Sequence, residues 1–470
     1  MNHTLKTTLL CYKDKRLFFI FMFGIASGFP WVMIGSALSA WLQEAGLSRS
    51  SIGLFGSMFI AYSLNFLWSP LLDRVKPLML GQRRGWILTT QILIIVGCIG
   101  LAIVPVQEQL LLAGLIGFSI ALSSATQDIS IDAYRIDIIK PDEKDTLSAA
   151  SAMATAGWWT GFGGLGAIPF FIADLPDWQW SEVYFVLAGI MALLALAVLV
   201  ADEPQTDREH QQQLAAKAYS AWQGAQGQLA SRGQKIVNWL LVTLVEPFRD
   251  FFARNTFKLA LSILMFIFLF KIGEAFLGRM SIVFYKELGF SNSDIGSFSK
   301  LMTWWITIVF SVLGGMVNIR YGIYRGLMVS GIAMAASNLM FALMAQVGPD
   351  KALYAATIFV DGFTAAWSSV ALVAFISLLC NQAFSASQYA LMASLGVLGR
   401  TFMASGSGFV VDWLDGNWSL FFILTALMVI PSLIFLWAIR GHIARLEQGK
   451  QPLGPNTNTV DGKGKVSETE

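Results

Sequence analysis

The segment Gln127, Asp128, Asp132, Arg135 and Asp137 concentrates ionisable and amide groups within an otherwise apolar stretch. Asp128 and Asp132 are four residues apart, so a helix places them one above the other on a single face. Two carboxylates so placed repel when both are ionised, and such a site can exchange a proton near neutral pH. The alternative is a structural ion pair with Arg135 or with arginines of a neighbouring loop. A second group, Lys271 and Glu274, is three apart in another apolar run. Lys271 could hold a substrate carboxylate or keep a nearby acid ionised, or the pair could satisfy itself and tie helices together. Asp361 and Arg400 stand alone in apolar surroundings and fit either substrate contact or interhelical pairing. Ionisable groups in such runs cost about 2.5–3.5 kcal/mol each in lipid, so they persist where a cavity or partner receives them. Trp158, Trp159, Trp304, Trp305 and Trp367 fall near the middle of apolar runs rather than at their ends. Adjacent residues point about 100° apart on a helix, so at most one of each Trp pair faces a cavity, and packing between helices is the competing role. The three histidines have no metal-ligand spacing and no Gly-rich phosphate loop with Lys is present, so metal, cofactor, enzymatic and ATP-driven readings find no support.

The elements that must carry these groups are membrane helices. Of the 470 residues 55% are hydrophobic and 13% charged, against roughly 25% charged in soluble domains. Twelve stretches are long and apolar enough to span a bilayer: 17–42, 51–72, 86–105, 110–134, 146–172 and 182–201, then 258–285, 295–317, 326–347, 352–379, 386–411 and 418–439. The first run is too long for a signal-peptide core, so it is read as the first span. Residues 1–201 thus form one six-helix bundle and 258–440 another. Between them, 202–257 is a polar linker whose end, IVNWLLVTLVEPFRDFFARN, suits an interfacial amphipathic helix. Residues 441–470 are expected to be a disordered tail. Cys11, Cys98 and Cys380 are far apart and suggest neither disulfide nor metal.

Orientation follows from the basic residues. With the N-terminus inside, 25 of the 32 Lys and Arg fall on the cytoplasmic side and 4 outside, with Lys271, Arg279 and Arg400 within spans. Both termini are therefore expected in the cytoplasm. A turn after the second span, SPLLDRVKPLMLGQRRG, has a weaker echo after the eighth, GGMVNIRYGIYRG. Six spans, a linker and six more spans with related basic turns is the plan of the major facilitator superfamily. Asp73, Arg74, Arg83 and Arg84 in the first turn, with Arg135 and Asp137, are expected to gate rather than bind. Asp73 can cap or pair with neighbouring helix ends when the cytoplasmic side is closed.

Further segments sharpen the resemblance: FGIASGFP, SLNFLWSPLLDR, GQRRGWILTTQILI, SSATQDISIDAYR, EPFRDFFARN, FLFKIGEAF and NQAFSASQYALMASL. Together, from the first span to the twelfth, the chain resembles the AmpG family of muropeptide permeases. It departs in having Glu274 where an Asp is expected, and in lacking two further C-terminal spans found in some members. The resemblance implies proton-driven import of anhydro-muropeptides across the bacterial inner membrane, for peptidoglycan recycling linked to β-lactamase induction. The implied partners are a muropeptide, protons and lipid, with no nucleic acid, in a monomer. Asp128, Asp132 and Glu274 are then the proton-coupling candidates. Gln127, Asp128, Lys271, Glu274, Asp361, Arg400, Trp158, Trp304 and Trp367 are the substrate-binding candidates. The same machine with another substrate, such as acetyl-CoA or a different glycopeptide, and a membrane sensor with a transporter fold remain the alternatives.

Overall fold

A computed structural model describes residues 11–47, 55–140, 142–205, 245, 247–291 and 294–448. Twelve helical segments follow the twelve apolar stretches. They are α1 (Lys15–Glu44), α2 (Ser57–Leu67), α3 (Gln82–Ile103), α4 (Leu110–Asp137), α5 (Lys144–Trp159) and α6 (Trp180–Val200). Then come α7 (Phe257–Glu287), α8 (Thr303–Tyr321), α9 (Ile323–Val347), α10 (Lys351–Leu379), α11 (Ser385–Ala404) and α12 (Trp418–Ala438). Among the described residues, nine are long and apolar enough to cross a membrane; α2, α5 and α11 are not. α2 is apolar but short, and α5 has 16 residues; α5 packs on α8 and α10, and α11 packs on α2 and α4. Each of these pairs joins the first six helices to the last six.

Small residues permit the closest approaches. Gly24 and Gly28 of α1 face Gly157 and Gly161, so that a Cβ on Gly28 would lie 2.1 Å from the Trp158 carbonyl oxygen and one on Gly161 2.2 Å from that of Ile25. Gly273 likewise abuts the Thr425 carbonyl of α12. Gly278, the other glycine of this helix, has open space around it and mediates no approach.

The repeat seen in the two basic turns is structural. Gly81 and Gly322 precede α3 and α9 with φ of 102° and 88°, a region that costs a residue with a side chain. At each, a glutamate from beyond the last helix of its half caps the new helix. Glu203 accepts from the backbone N–H of Arg83 (2.9 Å) and Arg84 (3.0 Å), and Glu447 from those of Ile323 (2.5 Å) and Tyr324 (3.2 Å). A carboxylate there satisfies orphan amides and the positive end of the helix dipole.

Contacts between the halves concentrate at the end holding these turns, the basic end. Leu72, Ile129 and Ala133 pack with Ala386 and Ala390 of α11, and Ile136 joins a core built otherwise from the second half. Toward the opposite end each half has a core of its own. A contact that crosses the halves there is Trp304, seated in the notch of Gly163 and Gly164.

Two expectations change. Residues Arg440–Glu447 form a helix, α13, where the sequence predicts disorder from 441, because Ile443 and His442 bury against the second half. The rest of the tail, 449–470, lies outside the described residues. Of the linker, 247–254 is helical, while 206–244, with most of the amphipathic stretch, lies outside them.

Candidate functional site

Along α4 from Ser123 to Asp137 every side chain is buried except Asp128 and Asp132, which are half-buried. The four-residue spacing therefore sets both carboxylates on one accessible stripe within the bundle. Asp128 Oδ1 accepts from Ser27 Oγ of α1 at 2.7 Å. Asp132 accepts from Arg135 at 2.8 Å and keeps 30% of its side chain exposed. Gln127 points the other way: it is fully buried and donates to the Ala26 carbonyl of α1 at 2.7 Å. The structure places it between α1 and α4, not with the two acids.

In the second half, α7 is broken at Phe270–Lys271 into Phe257–Leu269 and Ile272–Glu287. Such interruptions are tolerated at membrane depth where the freed backbone lines protein or a cavity. Lys271 is buried and donates to Glu274, to Ser368 Oγ (2.7 Å) and to the Ala365 carbonyl (3.3 Å) on α10. Glu274 keeps 29% of its side chain exposed. Asp361 of α10 accepts from Ser337 of α9 at 3.1 Å and lies in the field of both Glu274 and Lys271. Arg400 is exposed and stands within electrostatic reach of Glu274 and Lys271, with no hydrogen bond to its guanidinium among the described residues.

A chain of buried charges closes the basic end. Arg83 donates to Asp73 (2.6 Å), Asp137 (2.7 Å) and Ser385 Oγ (2.8 Å), with no side-chain exposure. Asp73 also accepts from Ser387 N (2.9 Å) and Oγ (2.5 Å), so a carboxylate of the first half caps α11 of the second. Arg135 donates to Ser151 of α5 and Ser377 of α10, each at 3.0 Å, and lies 5.1 Å over the Tyr389 ring of α11. Arg84 donates instead to the Val198 and Leu199 carbonyls at the end of α6, within its own half. Arg74 is half-buried beside Asp73.

The Major Facilitator Superfamily model matches residues 20–299. The chain is 32% identical to putative transporter AmpG 4 of Rickettsia felis over 430 residues, covering 90% of this chain and 96% of that protein. It is 31% identical to the anhydromuropeptide permease of Escherichia coli K12, covering 92% and 81%. The chain belongs to the Major Facilitator Superfamily, within its AmpG family. Solved structures share the fold. A double-Trp mutant of XylE matches with a TM-score of 0.66 at 14% identity, covering 94% of this chain and 99% of that one. FucP in its outward conformation matches at 0.62 and 14%, covering 90% and 98%. The protein is a multi-pass membrane transporter rather than an enzyme.

Within this transporter the tryptophans separate. Trp367 is buried between α8 and α10, lies against Gly314 and donates to Asn318 Oδ1 at 3.1 Å, while Trp304 fills the Gly163–Gly164 notch. Both are packing residues in this state, apart from the acids, and Trp305 is exposed on the outer surface. Trp158 is different. It lies 5.9 Å from Trp31 of α1, which in turn lies 4.4 Å from Tyr62 of α2 and 4.8 Å from Phe59. Sequence reading missed Ser27, Trp31 and Tyr62. Ser27 and Trp31 are four apart on α1, the same one-face spacing as Asp128 and Asp132, and that spacing was the available signal.

Proposed function

We propose that this chain is a proton-coupled secondary importer of anhydro-muropeptides, moving them from periplasm to cytoplasm by alternating access. Residues 1–201 and 258–440 act as the two rocking bundles, 202–257 as the linker, and the basic end as the cytoplasmic side of a monomer in the inner membrane. The observation that carries the reading is the accessible stripe of Asp128 and Asp132 in the first half, with Lys271 and Glu274 at the helix break of the second, in a chain akin to a permease of that name.

Asp128 is the proton-linked group. Ser27 donates to its ionised form, while the nearby Asp132 disfavours a second charge. Asp132 is held by Arg135, which itself bridges the halves, so the two acids are differently committed as the bundles move. Glu274, held by Lys271, is the second candidate for coupling. Asp73, Arg83, Arg135 and Asp137 gate the cytoplasmic side. Arg84, tied to its own half, braces α3 against α6.

The test uses vesicles carrying Asp128→Asn and labelled muropeptide. Asn is nearly isosteric and removes a charge, so the protein should reach the membrane. Gradient-driven accumulation should vanish while exchange of substrate across the membrane persists. Accumulation near the wild-type level would transfer the role to Glu274, and wild-type uptake insensitive to a pH gradient would remove proton coupling.

A further inference from the structure

The aromatic residues above Asp128 form a continuous wall. Trp31 contacts Phe59 and Tyr62 of α2 and Trp158 of α5, and Trp158 stacks on Phe162 with centroids 5.1 Å apart and planes at 22°. Of these five rings all but Tyr62 are half-buried, so the wall keeps an accessible surface within the first half. Trp31 is one helical turn beyond Ser27, whose hydroxyl binds Asp128. A carboxylate beside accessible aromatic faces is what a pyranose ring demands: its C–H face stacks on the rings and its hydroxyls donate to the acid. The backbone beneath the wall is irregular on both helices that carry tryptophan. Pro30 lies within α1, which widens into a π-turn at Met33–Ala37, and Thr160–Gly164 does the same after Trp158. Such π-turns cluster at functional sites.

The other half offers a different chemistry at the same depth. Asn65 of α2 accepts from Ser394 of α11 at 2.8 Å, which fixes the register of these antiparallel helices. Phe59 and Arg400 each lie six residues from that bond, toward the opposite end from the basic turns. At 1.5 Å per residue both are about 9 Å beyond it. Lys271 is already committed to three acceptors and is buried. Arg400 is exposed, and its neighbour Glu274 is engaged by Lys271. A planar guanidinium free of partners binds a carboxylate through two parallel hydrogen bonds.

We propose that the site divides its substrate between the halves, the sugar ring on the Trp31–Tyr62–Trp158 wall beside Asp128 and a peptide carboxylate on Arg400. This rests on the muropeptide reading above and adds the orientation of the ligand. It makes Arg400 the determinant of preference for peptide-bearing substrate, and the wall the determinant of preference for a glycan.

Binding to the purified full-length protein in nanodiscs, by calorimetry, tests this with three probes: the anhydro-disaccharide with its lactyl carboxyl capped as the simple amide, the same disaccharide bearing a tripeptide, and the free tripeptide. Arg400→Gln should weaken the peptide-bearing disaccharide about tenfold, toward the affinity of the capped disaccharide, and leave the capped disaccharide unchanged. Arg400→Lys should recover part of the loss. Trp31→Leu should weaken both sugar-bearing probes and leave the free tripeptide unaltered, while Trp31→Phe should restore them. Equal weakening of both sugar probes by Arg400→Gln, or no sugar effect of Trp31→Leu in protein that melts like wild type, would overturn the division. Wild-type protein that melts normally and binds none of the three would instead remove the muropeptide reading itself, and this orientation with it.

Discussion

At the scale of residues, the transporter's accessible acids and its buried charges do different work. Asp73 carries four acceptor contacts, three of them with the N-terminal turn of a helix in the other half, and has almost no exposure. Its replacement by Asn keeps the volume but turns an amide toward donors, and leaves Arg83 with Asp137 as its one carboxylate. Hydrogen bonds to charged groups contribute about 1.5–3 kcal/mol each. The closed basic end should therefore be weakened by a factor of about 10 or more, since 1.4 kcal/mol is tenfold. Substrate affinity measured from the opposite face should stay near wild type while turnover changes, and a large loss of equilibrium binding would contradict a gating role. Much of this was legible. Asp128 and Asp132 stand where the i, i+4 rule puts them, because a helix face is fixed by spacing alone. Trp304 and Trp367 illustrate the limit: spacing says that paired tryptophans diverge but not which face meets a neighbour. That is decided by Gly163, Gly164 and Gly314, far away in sequence.

At the scale of elements, close packing and capping decide stability. The α1–α5 contact has no room for a methyl group, since a Cβ on Gly28 would overlap the Trp158 carbonyl. Gly28→Ala should lower the melting temperature by several degrees, the cost of an overpacked contact being about 1–3 kcal/mol. Gly189→Ala on α6, with nothing within 4 Å of the new carbon, should be neutral or mildly stabilising. Equal effects would show that the α1–α5 approach does not limit stability. The C-terminal α13 depends on pH. His442 is 5% exposed with neither ring nitrogen partnered among the described residues. Burial first, then the guanidinium groups of Arg254 and Arg445, hold its imidazole below the ordinary 6.5, although Asp250 pairs with Arg254 at 2.9 Å and softens that field. The neutral ring is the form that docks. Docking should be full above about pH 6.5 and weaken as the pH falls from there toward the lowered value. Amide exchange across 440–447 should rise on acidification, and His442→Leu should abolish that rise. The sequence hid this helix because RGHIARLE is polar on average, and its few apolar side chains matter only once a core receives them.

For the whole molecule, the basic end is bound together and the opposite end holds its two cores apart, which is one state of a rocking pair. A native reporter lies on the seam. Cys380 ends α10 beside Asn381, three residues from the Ser377 that binds Arg135, and its thiol is half-buried. Cys98 is fully buried in the core of the first half, and Cys11 lies near the start of α1. In a Cys11→Ser, Cys98→Ala background, Cys380 therefore reports separation of the halves at the basic end. Maleimide labelling should be slow in the state described here, because the Arg83–Ser385, Asp73–Ser387 and Arg135–Ser377 contacts keep the surrounding surface closed. Asp73→Asn should accelerate it about tenfold or more, the same shift argued from its hydrogen bonds. Adding transported substrate should accelerate labelling of the wild-type residue in proportion to its occupancy of the state open at the basic end. The two accelerations share one cause, so substrate should add little to a variant that is already open. If Asp73→Asn labels at the wild-type rate while transport slows, the carboxylate does not hold the halves together, and Arg135, which touches α4, α5, α10 and α11, becomes the residue that does.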